Sequence, residues 1–222
     1  MPEGRLYITN RRYSSWSMRA WLAVRMVRLD VEEVLIPLVR PGPTPGILAV
    51  SPNGTVPYLE HHGARIWESL AIVAWCADQA PGLWPVDRVA RAAAWSSAAE
   101  MHAGFQGLRR SMWMNLDADF AGLGRTPEAL ADIARIEARW ADLQTRFGSS
   151  GPFLCGAAFG AVDAMFAPVV ARFLTWKPEL SAASRAYCAA VRAHPLVAEW
   201  YERAASEPPE WQVPEYETPP AV

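Results

Sequence analysis

The chain is poor in lysine, in cysteine and in any excess of charge. Its 222 residues hold 21 basic side chains against 23 acidic ones, a formal net charge of −2, and Lys177 is the single lysine. A balance this close offers no electrostatic footprint for nucleic acid or an anionic membrane surface, so neither is expected as a partner. No uninterrupted apolar run approaches the ~20 residues of a membrane-spanning helix, and Met1-Pro2-Glu3-Gly4 lacks the basic and apolar regions of a secretion signal. Cys76, Cys155 and Cys188 are odd in number and too widely spaced for a disulfide framework. They read as buried free thiols in a reducing compartment, which places the chain in the cytoplasm. His61-His62 stands on a turn beside Gly63, reads as solvent-exposed, and has no acidic or cysteine partner at metal-ligand spacing, so no metal is expected.

What the chain does have is apolar mass, 51% of its residues with eleven tryptophans among them, ample for a sizeable core. Its periodicity changes character once. Up to Asp78, alternating segments at Leu6–Ile8, Val31–Pro37, Tyr58–His61 and Arg65–Ile66 are interleaved with a helical pattern over Ser17–Val27 and an irregular stretch, Arg40–Pro45, that leads into a short helix. The order is β-α-β, then β-β-α, as in a thioredoxin-like α/β domain. Beyond a Pro/Gly-punctuated linker the pattern is helical nearly to the end. The expected organisation is therefore an α/β domain over residues 1–79, a linker over 80–87, an all-α domain over 88–207 and a proline-rich tail over 208–222 without regular structure. Ile133, Ile136, Trp140, Leu143 and Phe147 mark a one-faced helix. Val162–Leu174 is apolar on most faces and is expected at the centre, kinked at Pro168.

Chemistry concentrates in two places. In Thr55-Val56-Pro57-Tyr58, proline confines Val56 to extended geometry, leaving its N–H and C=O free to pair with a peptide outside the sheet. Downstream, Glu68-Ser69 stands where a strand gives way to a helix, Leu70–Asp78; with Ser69 as its cap, the loose N–H groups and positive dipole end make a carboxylate socket.

The succession "VP-x-L … ES-x-AI" resembles the peptide-binding half of cytosolic glutathione transferases, and Tyr13-Ser14-Ser15-Trp16-Ser17-Met18-Arg19 resembles their zeta-type serine motif. Gly160-Ala161-Val162-Asp163 with Pro168 resembles the start of the family's central helix, and the likeness runs from Leu6 to about Trp200. The resemblance implies a two-domain, homodimeric, detoxifying enzyme with glutathione as cosubstrate. A serine hydroxyl, Ser14 or Ser15, would hold the sulfur as thiolate for attack on a small hydrophobic electrophile. Such help is needed because a thiol of pKa ~8.5 is mostly protonated at neutral pH. Trp16 stands where the zeta motif has cysteine, which argues against thiol-dependent chemistry and against maleylacetoacetate isomerisation. Isomerisation and non-catalytic binding remain the alternatives.

Carried over residue by residue, Val56, beside Thr55, would pair with the cysteinyl unit and Pro57 would be cis. Glu68 would take the γ-glutamyl ammonium, Ser69 the adjacent carboxylate, and Arg40 the glycyl carboxylate. Tyr13 would line the electrophile cavity. Met101, Phe105 and Met112 fall at helical spacing on one face of the first long helix of the second domain, with His102 and Arg109 beside them, and would form its wall. Eleven tryptophans are more than one core of this size needs, a second pointer to a dimer face.

Overall fold

Strand β1 (Gly4–Ile8) runs through the middle of a four-stranded sheet of order β2-β1-β3-β4, and everything else in the first half is placed by it. The computed structural model describes residues 2–219, so Met1 and residues 220–222, the end of the expected tail, lie outside the described residues. Strand β2 (Val31–Leu35) pairs parallel to β1, whereas β3 (Tyr58–His61) pairs antiparallel to it and to β4 (Ala64–Trp67). The parallel pair requires a crossover, supplied by α1 (Ser15–Met26). That helix begins two residues before its apolar pattern suggested, because Ser14 Oγ accepts the Ser17 N–H at 3.1 Å and caps it. Helix α2 (Pro45–Val50) follows β2, and α3 (Ser69–Gln79) packs beside α1. This is the thioredoxin-like arrangement.

The second half is helical: α4 (Arg88–Ala103), α5 (Gln106–Ser111), α6 (Pro127–Phe147), α7 (Ala161–Trp176), α8 (Ala182–Ala193) and α9 (Pro195–Ala205). Helix α7 is buried on nearly every face and packs on α1, α4 and α8, so the apolar run becomes the axis of the molecule. Pro168 sits inside it. Helix α6 turns Ile133, Ile136, Trp140 and Leu143 inward, and Trp140 meets Phe166, Phe173 and Tyr187 in T-shaped contacts. No helix among the described residues is long and apolar enough to cross a membrane.

Two sequence expectations need correction. The stripe Met101, Phe105, Met112 does not lie on one helix: Gly104 ends α4 and Phe105, at φ 60°, turns the chain before α5 starts. The tail is ordered, with a 3₁₀ turn at Pro209–Trp211 and α10 (Pro214–Glu217) lying against the body of the protein. Of the eleven tryptophans, Trp21, Trp140, Trp176 and Trp200 are fully buried, while Trp67 on β4 is 44% exposed.

Asp163, in the first turn of α7, is fully buried and accepts from Leu154 N at 3.1 Å, Gly160 N at 2.9 Å and the Tyr187 hydroxyl at 3.0 Å. Burial nevertheless raises its pKa to about 6. Asp163→Ala leaves three donors without an acceptor; at roughly 1–3 kcal/mol each, the unfolding free energy should fall by about 3 kcal/mol or more. A urea midpoint equal to wild type would show that those donors do not depend on the carboxylate.

Candidate functional site at the start of helix α1

The β1–α1 loop is pinned from several sides before it delivers Ser14 and Ser15. Asn10 takes the Leu38 N–H on its side-chain oxygen at 2.7 Å and donates to Trp211 O at 2.8 Å, while its carbonyl accepts from Tyr13 N and Ser14 N. Glu207 accepts from Arg11 N at 2.6 Å and Arg12 N at 3.4 Å. Trp200 Nε1 donates to Arg11 O at 3.1 Å. The two serines emerge in different hydrogen-bonding states. Ser14 Oγ accepts from Ser17 N and donates to Ser17 Oγ at 2.8 Å, so both its functions are engaged. Ser15 Oγ accepts from Arg172 Nη2 at 3.2 Å, and its own proton has no acceptor among the described residues. Helix α1's free N–H groups add positive potential at this end.

A cavity of about 550 Å³ opens in front of these serines, bounded by Tyr13, Ser14, Ser15 and Trp16 on one side and by Arg40, Thr44, Thr55 and Val56 on the other. Arg109, Trp113, Met114, Arg172 and Tyr216 also line it. Val56 precedes a cis Pro57, and its N–H and C=O enter no hydrogen bond among the described residues. Arg40 is exposed at the edge, with Nη1 3.5 Å from Gly42 O. Pro57, Glu68 and Ser69 do not line this cavity.

Glu68 and Ser69 connect to it through Trp16. Glu68 holds φ 69°, a region that non-glycine residues occupy at a cost, and serves as the N-cap of α3 without a side-chain cap bond. Ser69 is therefore the first helical residue and not the cap; its hydroxyl is buried without a partner. Glu68 Oε2 lies 3.5 Å from His102 Nε2, and His102 meets the Trp16 ring edge-on at 5.3 Å. Burial, above all, lowers the His102 pKa.

The expected electrophile wall is only partly realised. Tyr13 and Arg109 line the cavity, but Met101, Phe105 and Met112 are sealed in the core and His102 stands behind Trp16. The break at Gly104–Phe105 rotates the apolar stripe inward and presents Arg109 instead. The residues that reasoning from sequence missed are Arg172, Trp113 and Tyr216. Arg172 had a signal, being one of two charged residues in the otherwise apolar α7. Tyr216 comes from the tail: its carbonyl accepts from Trp113 Nε1 at 2.9 Å and Asn115 Nδ2 at 3.0 Å, and the Tyr13 hydroxyl donates to Glu217 Oε1.

With this geometry in view, the family models decide the relationship. The model for the glutathione S-transferase N-terminal domain matches residues 13–79 and that for the C-terminal domain matches residues 124–203, together about two thirds of the chain. The chain belongs to the glutathione S-transferase family. Among solved structures, this transferase is similar to the Omega 3C enzyme of Trametes versicolor, at 19% identity and TM-score 0.68, covering 96% of this chain and 93% of that one. The theta-class enzyme of Xanthomonas axonopodis pv. citri, solved with glutathione bound, gives 22% identity and TM-score 0.66 over 94% of this chain and 99% of that one. A transferase homologue from Burkholderia gl BGR1, also with bound glutathione, gives 19% and 0.68 over 92% and 99%. No curated protein sequence matches.

Two other groups in this transferase bear on its chemistry. Burial pushes the Cys76 and Cys188 thiols up to about 12 and Cys155 up to about 11, so none is a competing nucleophile at neutral pH. His61 is buried, not exposed as expected, and the fold brings Glu3 to His61 and His62, with ligand atoms within 4.8 Å of one another, a grouping invisible at a separation of 58 residues. Trp75 Nε1 donates to His61 Nδ1 at 3.1 Å, which leaves the ring proton on Nε2, the atom facing Glu3. In that tautomer His61 offers Glu3's side no metal-binding lone pair.

Arg172 is 5% exposed, pairs with no acid among the described residues, and leaves Nε without a partner. Burial, then the nearby Arg109 charge, pulls its pKa down to about 9. The depressed value means that the charged guanidinium opposes folding at neutral pH. Arg172→Met, of similar volume, should raise the unfolding free energy by about 1–4 kcal/mol at pH 7. A lower thermal midpoint for that variant would show the guanidinium to be a net stabiliser.

Proposed function

We propose that the chain conjugates glutathione to a small electrophile, with Ser15 holding the cosubstrate's sulfur as thiolate. The observation that supports Ser15 over Ser14 is hydrogen-bond polarity. Arg172 occupies a lone pair of Ser15 Oγ and leaves its proton to donate to sulfur, whereas the Ser14 proton is directed to Ser17. A hydrogen bond to an ionised sulfur, a buried guanidinium next to the donor and the α1 N-terminus all favour the thiolate.

The tripeptide is assigned by the same logic. Its cysteinyl backbone pairs with the free N–H and C=O of Val56, its glycyl carboxylate lies towards Arg40 and Thr55, and its γ-glutamyl end meets Ser69 and Glu68. Ser69 suits a carboxylate because its buried hydroxyl caps nothing. Glu68 suits an ammonium, His102 being kept neutral by burial. The electrophile then sits against Trp16, Trp113, Met114 and Tyr216, and sulfur attack consumes one thiol per product. A homodimer of cytoplasmic location belongs to this reading, with the exposed Trp67 on edge strand β4 as an unshielded apolar element.

Ser15→Ala should raise the pKa of the bound thiol by about one to two units, the equivalent of losing a charge-assisted hydrogen bond of roughly 1.5–3 kcal/mol. Ser14→Ala should mainly lose a helix cap, about 1 kcal/mol of stability. Thiolate absorbance of bound glutathione against pH reads both; a shift in Ser14→Ala and none in Ser15→Ala transfers the role. Thiol loss during turnover marks conjugation, product without thiol loss marks isomerisation, and binding without product marks a carrier. Sedimentation at micromolar concentration should give about twice the 24.5 kDa of the chain; a species of chain mass alone rejects the dimer.

A further inference from the structure

Three arginines converge beside the cavity without an acid between them. Arg19 is fully buried; its Nε donates to Met165 O at 2.9 Å, and Nη1 and Nη2 have no partner among the described residues. Its guanidinium carbon lies 4.8 Å from the centre of the Trp16 ring, and that of Arg109 lies 4.7 Å from the same ring. Arg109, which lines the cavity, uses Nε and Nη2 on the carbonyls of Gly104, Met101 and His102 at the end of α4, which leaves Nη1 without a partner among the described residues. Arg172, beside Ser15, donates Nη1 to Pro168 O at 3.0 Å and Nη2 to Ser15. None of the three forms a salt bridge among the described residues. Asp132 attracts Arg109 from beyond salt-bridge distance while accepting from Leu108 N, Glu68 faces His102, and Glu217 faces Tyr13 and Asn115.

Burying several guanidiniums together is expensive unless an anion joins them. Resting on the glutathione reading above, the tripeptide supplies too little. Its carboxylates are assigned to Arg40 and Ser69, and a single thiolate at Ser15 meets only Arg172. We propose that the electrophile itself carries a carboxylate, gripped by Arg109 and Arg172 in the cavity beside Trp16, and that these two arginines set substrate choice. The buried Arg19 behind Trp16 adds to the positive potential. The wall expected to be greasy is thus selective for charge, and the cavity's other aromatic lining residues, Tyr13, Trp113 and Tyr216, suit a planar acid such as a substituted benzoate. With 4-chloro-3-nitrobenzoate the glutathione sulfur forms a bond to C4 as the C4–Cl bond breaks, and chloride leaves with the electron pair while the carboxylate is unchanged.

The test uses the intact protein saturated with S-methylglutathione, which occupies the peptide site without reacting. Calorimetric titration compares 3-nitrobenzoate with 3-nitrobenzamide, its neutral counterpart. The benzoate should bind at least about tenfold tighter. Arg172→Gln and Arg109→Gln should each bring the two probes towards equal affinity, and Arg172→Lys, which keeps the charge, should retain part of the preference. The same ordering should appear in kcat/KM for 4-chloro-3-nitrobenzoate against its amide. Equal affinities in the wild-type protein overturn the proposal and leave the glutathione reading standing, as does a preference that survives both glutamine variants. If glutathione and S-methylglutathione themselves fail to bind, the glutathione reading falls and this inference falls with it.

Discussion

The contact between α1 and α7 is the constraint on which the rest of the structure depends, and two buried arginines make it. Arg19 reaches from α1 to the Met165 carbonyl, and Arg172 reaches back from α7 to Ser15. An apolar seam between these helices would be more stable, since desolvated guanidiniums without carboxylates are a net burden. What the arginines provide is position. They fix the first turn of α1 against the central helix, so the serine that ends the β1–α1 loop in one domain is oriented by a cation from the other. The cavity exists because the two halves meet at that point.

The remaining strain and the long-range contacts gather around the same spot. Glu68 is held at positive φ to bring Ser69 into the first turn of α3, and Phe105 is held at positive φ to redirect the chain between α4 and α5. The second turn puts Arg109 beside Trp16. The C-terminal tail crosses back over the body, anchored through Glu207, Trp211, Tyr216 and Glu217, and contributes Tyr216 to the cavity wall. Motion of the tail would therefore change the size and polarity of the electrophile space directly.

Much of this was legible in the sequence where a local rule governs it. Alternating runs gave the strands, three-and-four spacing gave α6, unbroken apolarity gave α7, and of the residues singled out by type Val56, Ser14 and Ser15 line the cavity, whereas Glu68 and Ser69 reach it only through Trp16. The losses are equally physical. Spacing predicts one face only while a helix continues, so the turn at Gly104–Phe105 moved Met101, Phe105 and Met112 into the core. Arg172 was concealed by the apolar run around it, although a charge in a central helix is itself a signal. Glu3 beside His61 and His62, and Tyr216 beside Tyr13, are meetings of distant segments that no spacing rule encodes. The proposed preference for Ser15 over Ser14 rests on the direction of two hydrogen bonds.

The most direct measurement is a crystal structure of the protein with glutathione bound. The sulfur should lie within hydrogen-bond reach of Ser15 Oγ on the side facing Arg172, the cysteinyl backbone should pair with Val56, and the γ-glutamyl carboxylate should meet Ser69 Oγ. A sulfur held by Ser14 with Ser15 turned away, or a peptide that avoids Val56 and Ser69, would contradict the assignment of this cavity.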